Sequence, residues 1–294
     1  MSIEKMTVQS SLLKVPGAQI YYERQGSGPI LVMIPGGSAD AGIFAGTASL
    51  LAADYTVVRY DPRGNSRSVV DGPPQDQDMD VHGDDAAQLL DELGGEPAYA
   101  LGNSGGAQIG LNLAARYPDR VRTLVAHEPP CLELLPEAEE RRAFTDGVYD
   151  TYVTEGAGAA MQKFMAGAGI SNPRPGATPP PPELLEAFGR MRGNLDYFFG
   201  HGFKAIGAYV PDVAALRAGS ARIVVGVGEA STGQLPCRAA LALAEQLGTA
   251  PVSFPGGHGG YNDHPAAFAE KLRQVLSVTP ATSNQILNRK IGEF

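Results

Sequence analysis

The sequence predicts an α/β fold: a mostly parallel, doubly wound sheet with a helical insertion ahead of its last strands. Three observations predict it. Short apolar runs alternate with amphipathic helical stretches from residue 19 to residue 126, and the alternation resumes from 221 to 278. Between them, residues 131–218 read as helix and loop with no strand-like run. Strands separated by helix-length connections must lie parallel, and a parallel sheet buries both faces under helices.

In chain order, QIYYERQGSGPILVMI reads as two strands, Gln19–Gln25 and Pro29–Ile34, joined by a glycine-rich turn. FAGTASLLAAD reads as a helix and Tyr55–Tyr60 as a strand. DMDVHGDDAAQLLDELGG sets Val81, Ala86, Leu89, Leu90 and Leu93 at helical spacing and stops on glycines. Strand AYALG, helix GAQIGLNLAARYP and strand VRTLVA follow, and then the insertion. Its RPGATPPPPE stretch predicts a stiff polyproline II connector. Strand ARIVVGVG, helix RAALALAEQLG, strand APVSF and helix HPAAFAEKLRQVL complete the chain. The expected division is a core of residues 1–130 and 219–279, a helical cap of 131–218, and a polar tail of 280–294.

Composition excludes several functions. A net charge of −9 with no dense Lys/Arg cluster repels phosphate backbones, so nucleic acid is not an expected partner. A chain of 294 residues buries roughly 75% of its unfolded surface and needs no disulfide or metal to hold a core. Cys131 and Cys237 lie far apart, outside any CxxC pair, and read as reduced thiols of a cytoplasmic protein. MSIEKMTVQSSLLKV lacks the apolar centre of a signal peptide, and no run approaches the ~20 apolar residues of a spanning helix. The expectation is a cytoplasmic protein off the membrane, with a homo-oligomer left open.

The motif with most chemical content is Gly102-Asn103-Ser104-Gly105-Gly106, a G-x-S-x-G between a predicted strand and a predicted helix. Serine on so sharp a turn exposes its hydroxyl above the sheet. A nucleophilic serine needs a base, an acid to orient it, and donors for the oxyanion. His258, in the glycine-rich loop PGGHGGYND after the last strand, is the candidate base. His264 precedes Pro265 and is read as a helix opener, while His82 and His127 fit the base less well. His201 lies in the insertion, within expected reach of substrate. The Gly105 amide and that of Gly37, in IPGGSAD after a strand, are the candidate oxyanion donors. LVAHEPP ends an apolar strand on Glu128, a costly place for a carboxylate unless its charge is used. Glu229, one predicted strand later, is the other acid near a strand end.

With these residues the chain resembles the α/β-hydrolases over nearly its whole length. Most of that family carries the acid after the strand that follows the cap, where this chain has Ser231. Haloalkane dehalogenases and zearalenone lactonases instead place a glutamate where Glu128 stands. YYERQGSGP, TVVRYDPRGNSRS, RYPDRVRTLVAHEPPCLELL and FPGGHGGYNDHPAAFA are similar to lactonase segments. The resemblance implies a Ser104–Glu128–His258 triad with Gly37 and Gly105 as oxyanion hole, no cofactor or metal, and an apolar ester or lactone as substrate. It also implies that Arg63 and Arg67 tie loops together. Those lactonases pack a cap tryptophan on substrate, and this chain has none. Tyr197, Phe198, Phe199 and Phe203 are therefore candidates to line the pocket, or to form the cap's own core. A carbon–carbon hydrolase of the same fold and a non-catalytic receptor for an apolar ligand remain as alternatives.

Overall fold

A computed structural model describes residues 7–170 and 181–278. Nine strands among them form one sheet: β1 Gln9–Val15, β2 Ala18–Gln25, β3 Ile30–Ile34, β4 Thr56–Tyr60, β5 Val69–Val70, β6 Ala98–Asn103, β7 Val121–His127, β8 Arg222–Gly228 and β9 Val252–Phe254. Their order is β1-β2-β4-β3-β6-β7-β8-β9, with the short β5 on β2. Pairing is parallel from β4 through β9, while β2 runs antiparallel to β1, β4 and β5.

Alternation along each central strand divides the core between the two faces. Val32 and Ile34 of β3, with Leu124 and Ala126 of β7, pack under the helices Met79–Glu92, Gly105–Arg116 and Leu235–Leu247. Leu31, Met33 and Val125 point the other way, toward the helices Ala45–Leu51 and Pro265–Ser277. A strand buried on both sides has no polar phase, and this is why these runs read as continuously apolar.

Between β7 and β8 the described residues hold only helices and loops. The principal helices there are Ala138–Glu155, Ala157–Ala168, Pro182–Gly193 and Phe203–Ala208, with a π-helical turn at Phe198–Gly202. This segment has a small core of its own around Val148, Phe198, Phe199 and Phe203. The RPGATPPPPE stretch, up to residue 180, and the tail from residue 279 lie outside the described residues.

Two differences from the sequence reading have physical causes. Strand β1 carries almost no apolar signal, because Gln9–Leu12 are solvent-exposed on an edge paired only with β2. The two strands read as joined by the Gly26–Gly28 turn are not neighbours, since β4 inserts between them. Arg63 does tie loops together: it forks onto Asp85 at 2.6 and 2.7 Å and reaches the Pro16 carbonyl. Arg67 pairs with Asp61 and Glu23. Cys131 and Cys237 are both buried and unbridged. No helix among the described residues is long and apolar enough to cross a membrane.

Candidate active site

The chain runs from β3 to β4 on one side and from β6 to β7 on the other, so the loops after the adjacent strands β3 and β6 diverge above the sheet. Open α/β sheets bind ligands at such a divergence, beyond the carboxyl ends of the strands. Here the two loops pack backbone on backbone. A Cβ at Gly36 would lie 2.5 Å from the Asn103 carbonyl and 2.6 Å from the Gly105 nitrogen, and one at Gly106 would lie 2.1 Å from the Ile34 carbonyl. Only glycine permits that approach. Gly37, at φ +56°, then turns the chain so that its amide lies beside the start of the helix Gly105–Arg116.

Ser104 sits at φ 56°, ψ −128°, between β6 and that helix. A side chain rarely adopts this conformation, and its cost of about 1–3 kcal/mol is borne by the packed elements on either side. The Ser104 amide is tied to the His127 carbonyl at 3.0 Å, which fixes the turn to β7.

Glu128 follows β7, also at positive φ, 48°. Its backbone N–H donates to the Gly226 carbonyl at 2.9 Å. Its side chain is fully buried, with Oε1 accepting from the Gly228 N–H at 2.8 Å and Oε2 lying 2.6 Å from Nδ1 of His258. Burial raises the pKa of this carboxylate. The hydrogen bond from His258, the charge of His258 and the Gly228 N–H outweigh it and hold the group at about 2. With Nδ1–H donating to the carboxylate, Nε2 is the nitrogen left to face the cavity as acceptor. Ser104 and His258 both line that cavity. No hydrogen bond joins their side chains among the described residues, a contact that apo sites commonly close only with substrate bound.

Glu229 is exposed, and Ser231, in the same loop, is buried with no partner for its hydroxyl. The loop after β8 therefore places no carboxylate against His258.

His127 accounts for the rest of the AHEPP run. It is buried between the Phe254 and Phe268 rings at centroid distances of 5.6 and 5.5 Å, with Nδ1 2.8 Å from Asn103 Oδ1. Burial pushes its pKa from 6.5 down to about 4, and pushes that of His82, beside Gln77, to about 3. Both rings are thus neutral in the fold, and the unfolded chain binds more protons once the pH drops below about 6.5. Each ring should cost about 2 kcal/mol of stability by pH 5. Glu128 acts in a lower window: its contribution is present above about 4.5 and is lost as the pH falls toward about 2. The urea midpoint is expected to fall between pH 7 and pH 5. An unchanged midpoint would mean that the two rings are not held neutral.

A relative is 37% identical over 277 residues, covering 92% of this chain and 97% of its own length: the uncharacterized hydrolase YraK of Bacillus subtilis. The chain is a hydrolase of the α/β-hydrolase family. A family model described as the alpha/beta hydrolase fold matches residues 29–165. A zearalenone hydrolase of Cladophialophora bantiana is 35% identical over 128 residues, 42% of this chain and 48% of that enzyme. Among solved structures, a hydrolase from Pseudomonas aeruginosa aligns with a TM-score of 0.68 at 24% identity, over 92% of this chain and 99% of that one.

The hydrolase cavity measures about 890 Å³. Ser104, Gly37 and His258 line one end of it, and Phe144, Phe164, Phe188, Met161, Met165 and Met191 of the helical segment line much of the rest. Sequence reasoning missed these six, because a phenylalanine or methionine facing a cavity keeps the same helical spacing as one facing a core. Of the four aromatic candidates, Phe198 and Phe203 line the cavity, while Tyr197 and Phe199 do not. Phe199 is 1% exposed and stacks on Tyr152, and Tyr197 packs against Gly64 and His201. The expectation for His201 is corrected as well: its ring turns to Asp76 at 3.2 Å and lies off the cavity. His264 stands at the N-cap of the helix Pro265–Ser277.

Proposed function

We propose that this hydrolase cleaves carboxylic esters, lactones foremost, through an acyl-enzyme on Ser104. The observation that carries the reading is the 2.6 Å contact between buried Glu128 and Nδ1 of His258, whose ring lines the same cavity as Ser104. His258 Nε2 takes the Ser104 proton as Oγ attacks the carbonyl carbon, and the Gly37 and Gly105 N–H groups receive the oxyanion. Collapse of the tetrahedral intermediate breaks the bond to the alcohol oxygen, which leaves with the proton from His258. Glu128 stabilises the imidazolium between these transfers. Water activated by the same histidine then attacks the acyl carbon and releases the acid and free Ser104. With a lactone the departing hydroxyl stays tethered to the acyl group, and the product is a single hydroxy acid.

A cavity of about 890 Å³ with phenylalanine and methionine walls fits a bulky apolar acyl or alcohol portion. Together with the partial likeness to a zearalenone hydrolase, this makes macrolactones of the zearalenone kind the first substrates to test. A pH-stat screen of lactones and esters should show steady acid release, and a fluorophosphonate should add one label, on Ser104. Binding without turnover, or a label elsewhere, would defeat the reading.

The walls make a separate prediction. Phe164→Ala or Met191→Ala is expected to lower kcat/KM about tenfold on a hexanoate or aryl ester and to leave a small acetate nearly unchanged, since each removes roughly 1–2 kcal/mol of apolar contact. Equal losses on both esters, measured by initial rates, would mean that these side chains support the segment and not the substrate.

A further inference from the structure

Two buried amides pin the helical segment to the core, and each pin stands beside one of the glycines assigned above to the oxyanion. On one side is Asn194, 7% exposed, just after the helix Pro182–Gly193. Its Nδ2 donates to the Ser38 carbonyl at 2.9 Å and to Ser66 Oγ at 2.8 Å, and its Oδ1 accepts from the Ser66 N–H at 2.9 Å. Ser66 holds an unusual φ of 49°, and its hydroxyl donates a hydrogen bond to Oδ2 of buried Asp40 at 2.9 Å. Arg190, from the same helix, reaches Asp40 at 2.5 Å. On the core side, Asn65 Nδ2 holds the carbonyls of Gly37 and Ala39, both at 2.9 Å. The loop that carries Gly37 is thus fastened from below by the core and from above by the helical segment.

The second pin is Gln108, on the helix that starts at Gly105. Its Nε2 donates to the Ile206 carbonyl of the helical segment at 3.0 Å and to the Pro130 carbonyl at 2.9 Å. What the pins position is apolar. A Cβ at Gly37 would meet the Phe198 ring at 3.5 Å, and one at Gly105 would meet Ile206 Cδ1 at 2.9 Å. Phe198 follows Asn194 by four residues, and Ile206 is the residue that Gln108 holds. Between them runs the π-helical turn Phe198–Gly202, an irregularity that often marks a functional site.

We infer that the helical segment roofs the oxyanion hole: Asn194 and Gln108 pin it so that Phe198 and Ile206 keep water off the Gly37 and Gly105 amides. The inference rests on the serine-hydrolase reading. Amides already solvated by water gain little from an oxyanion, whereas amides under an apolar roof gain a partner only as the oxyanion forms, and at low dielectric. Asn194 and Gln108 are then positioning residues, acting through the roof they hold.

The experiment compares wild type, Asn194→Ala and Gln108→Met on p-nitrophenyl acetate and p-nitrophenyl hexanoate, with inhibition by an alkylboronic acid, which forms a tetrahedral adduct on the serine. Both variants are expected to lose about 10–100-fold in kcat on both esters with KM on the acetate changed less than about threefold, and the boronate Ki should rise as kcat/KM falls. Should Asn194→Ala fail to fold, Asn194→Asp keeps the acceptor for Ser66, loses the donor to Ser38, and takes its place. Wild-type kcat on the acetate overturns the inference, as does a lost kcat with an unchanged boronate Ki. Ser104→Ala, assayed alongside, separates the two levels. Turnover without Ser104 defeats the serine reading, whereas an inactive Ser104→Ala beside fully active pin variants defeats the roof alone.

Discussion

Ser104→Ala is expected to lower kcat by about 10⁴–10⁶ while leaving the protein folded, the range seen when a hydrolase nucleophile is removed from an otherwise complete site. The fold should tolerate the change for a local reason. The turn is held by backbone, through the Ser104 amide on His127 and through the glycines packed on either side, and the hydroxyl itself has no hydrogen-bond partner among the described residues. Alanine and serine also bear the same penalty at φ 56°. Residual activity should match that of a site with its binding groups and amides intact. A variant with near wild-type turnover would remove Ser104 from the chemistry altogether.

Glu128→Gln should be nearly as damaging, about 10³–10⁴ in kcat, by analogy with loss of a triad aspartate. The reason is in the hydrogen bonds. Glu128 accepts at both oxygens, from the Gly228 N–H and from His258 Nδ1. Glutamine has one oxygen. If it serves Gly228, the amide NH₂ faces Nδ1, makes that nitrogen an acceptor, and moves the imidazole proton to Nε2, where it blocks proton transfer from Ser104. If it serves His258, the NH₂ meets the Gly228 N–H and the side chain is pushed out of place. Size is kept and a buried charge is removed, so the melting temperature should change by only a few degrees. Glu229→Gln should behave as wild type, because Glu229 is exposed. Full activity in Glu128→Gln together with loss in Glu229→Gln, in paired kinetics and melts, would transfer the acid to the loop after β8.

The parts of this molecule legible in the sequence are those in which local pattern and tertiary role coincide. The apolar runs of β3, β6 and β7 are buried on both faces, and the Gly102–Gly106 pentapeptide has to be glycine-rich for its own turn to close. Glu128 stood out as a carboxylate at the end of an apolar strand, but its pairing with His258 was legible only through likeness. Its partner lies 130 residues further on, and nothing near it in the chain announces the contact. Strand β1 was lost because an exposed edge carries no hydrophobic period. Asn194 and Gln108 were lost for the opposite reason: a single amide has no pattern at all, and its value lies in which carbonyls it meets. His201 and Tyr197 drew attention by type alone, and the packing turned both toward the 76–77 loop.

On the proposed reading, seating the acid at the end of β7 has a consequence for how this hydrolase changes over time. An acid seated after β8 would tie that loop to His258. Here the part of the loop that serves the acid stops at Gly228, whose N–H donates to Glu128, and the side chains beyond it carry no role in orienting His258. Ala230 and Gln234 both border the chamber. The backbone of Glu229 and Ala230 must keep its hold on the Phe254 and Gly256 carbonyls just ahead of His258, whereas side-chain substitutions at Ala230 and Gln234 can recut substrate preference. A lineage under selection for a new ester, or a library built to find one, has its freest ground there.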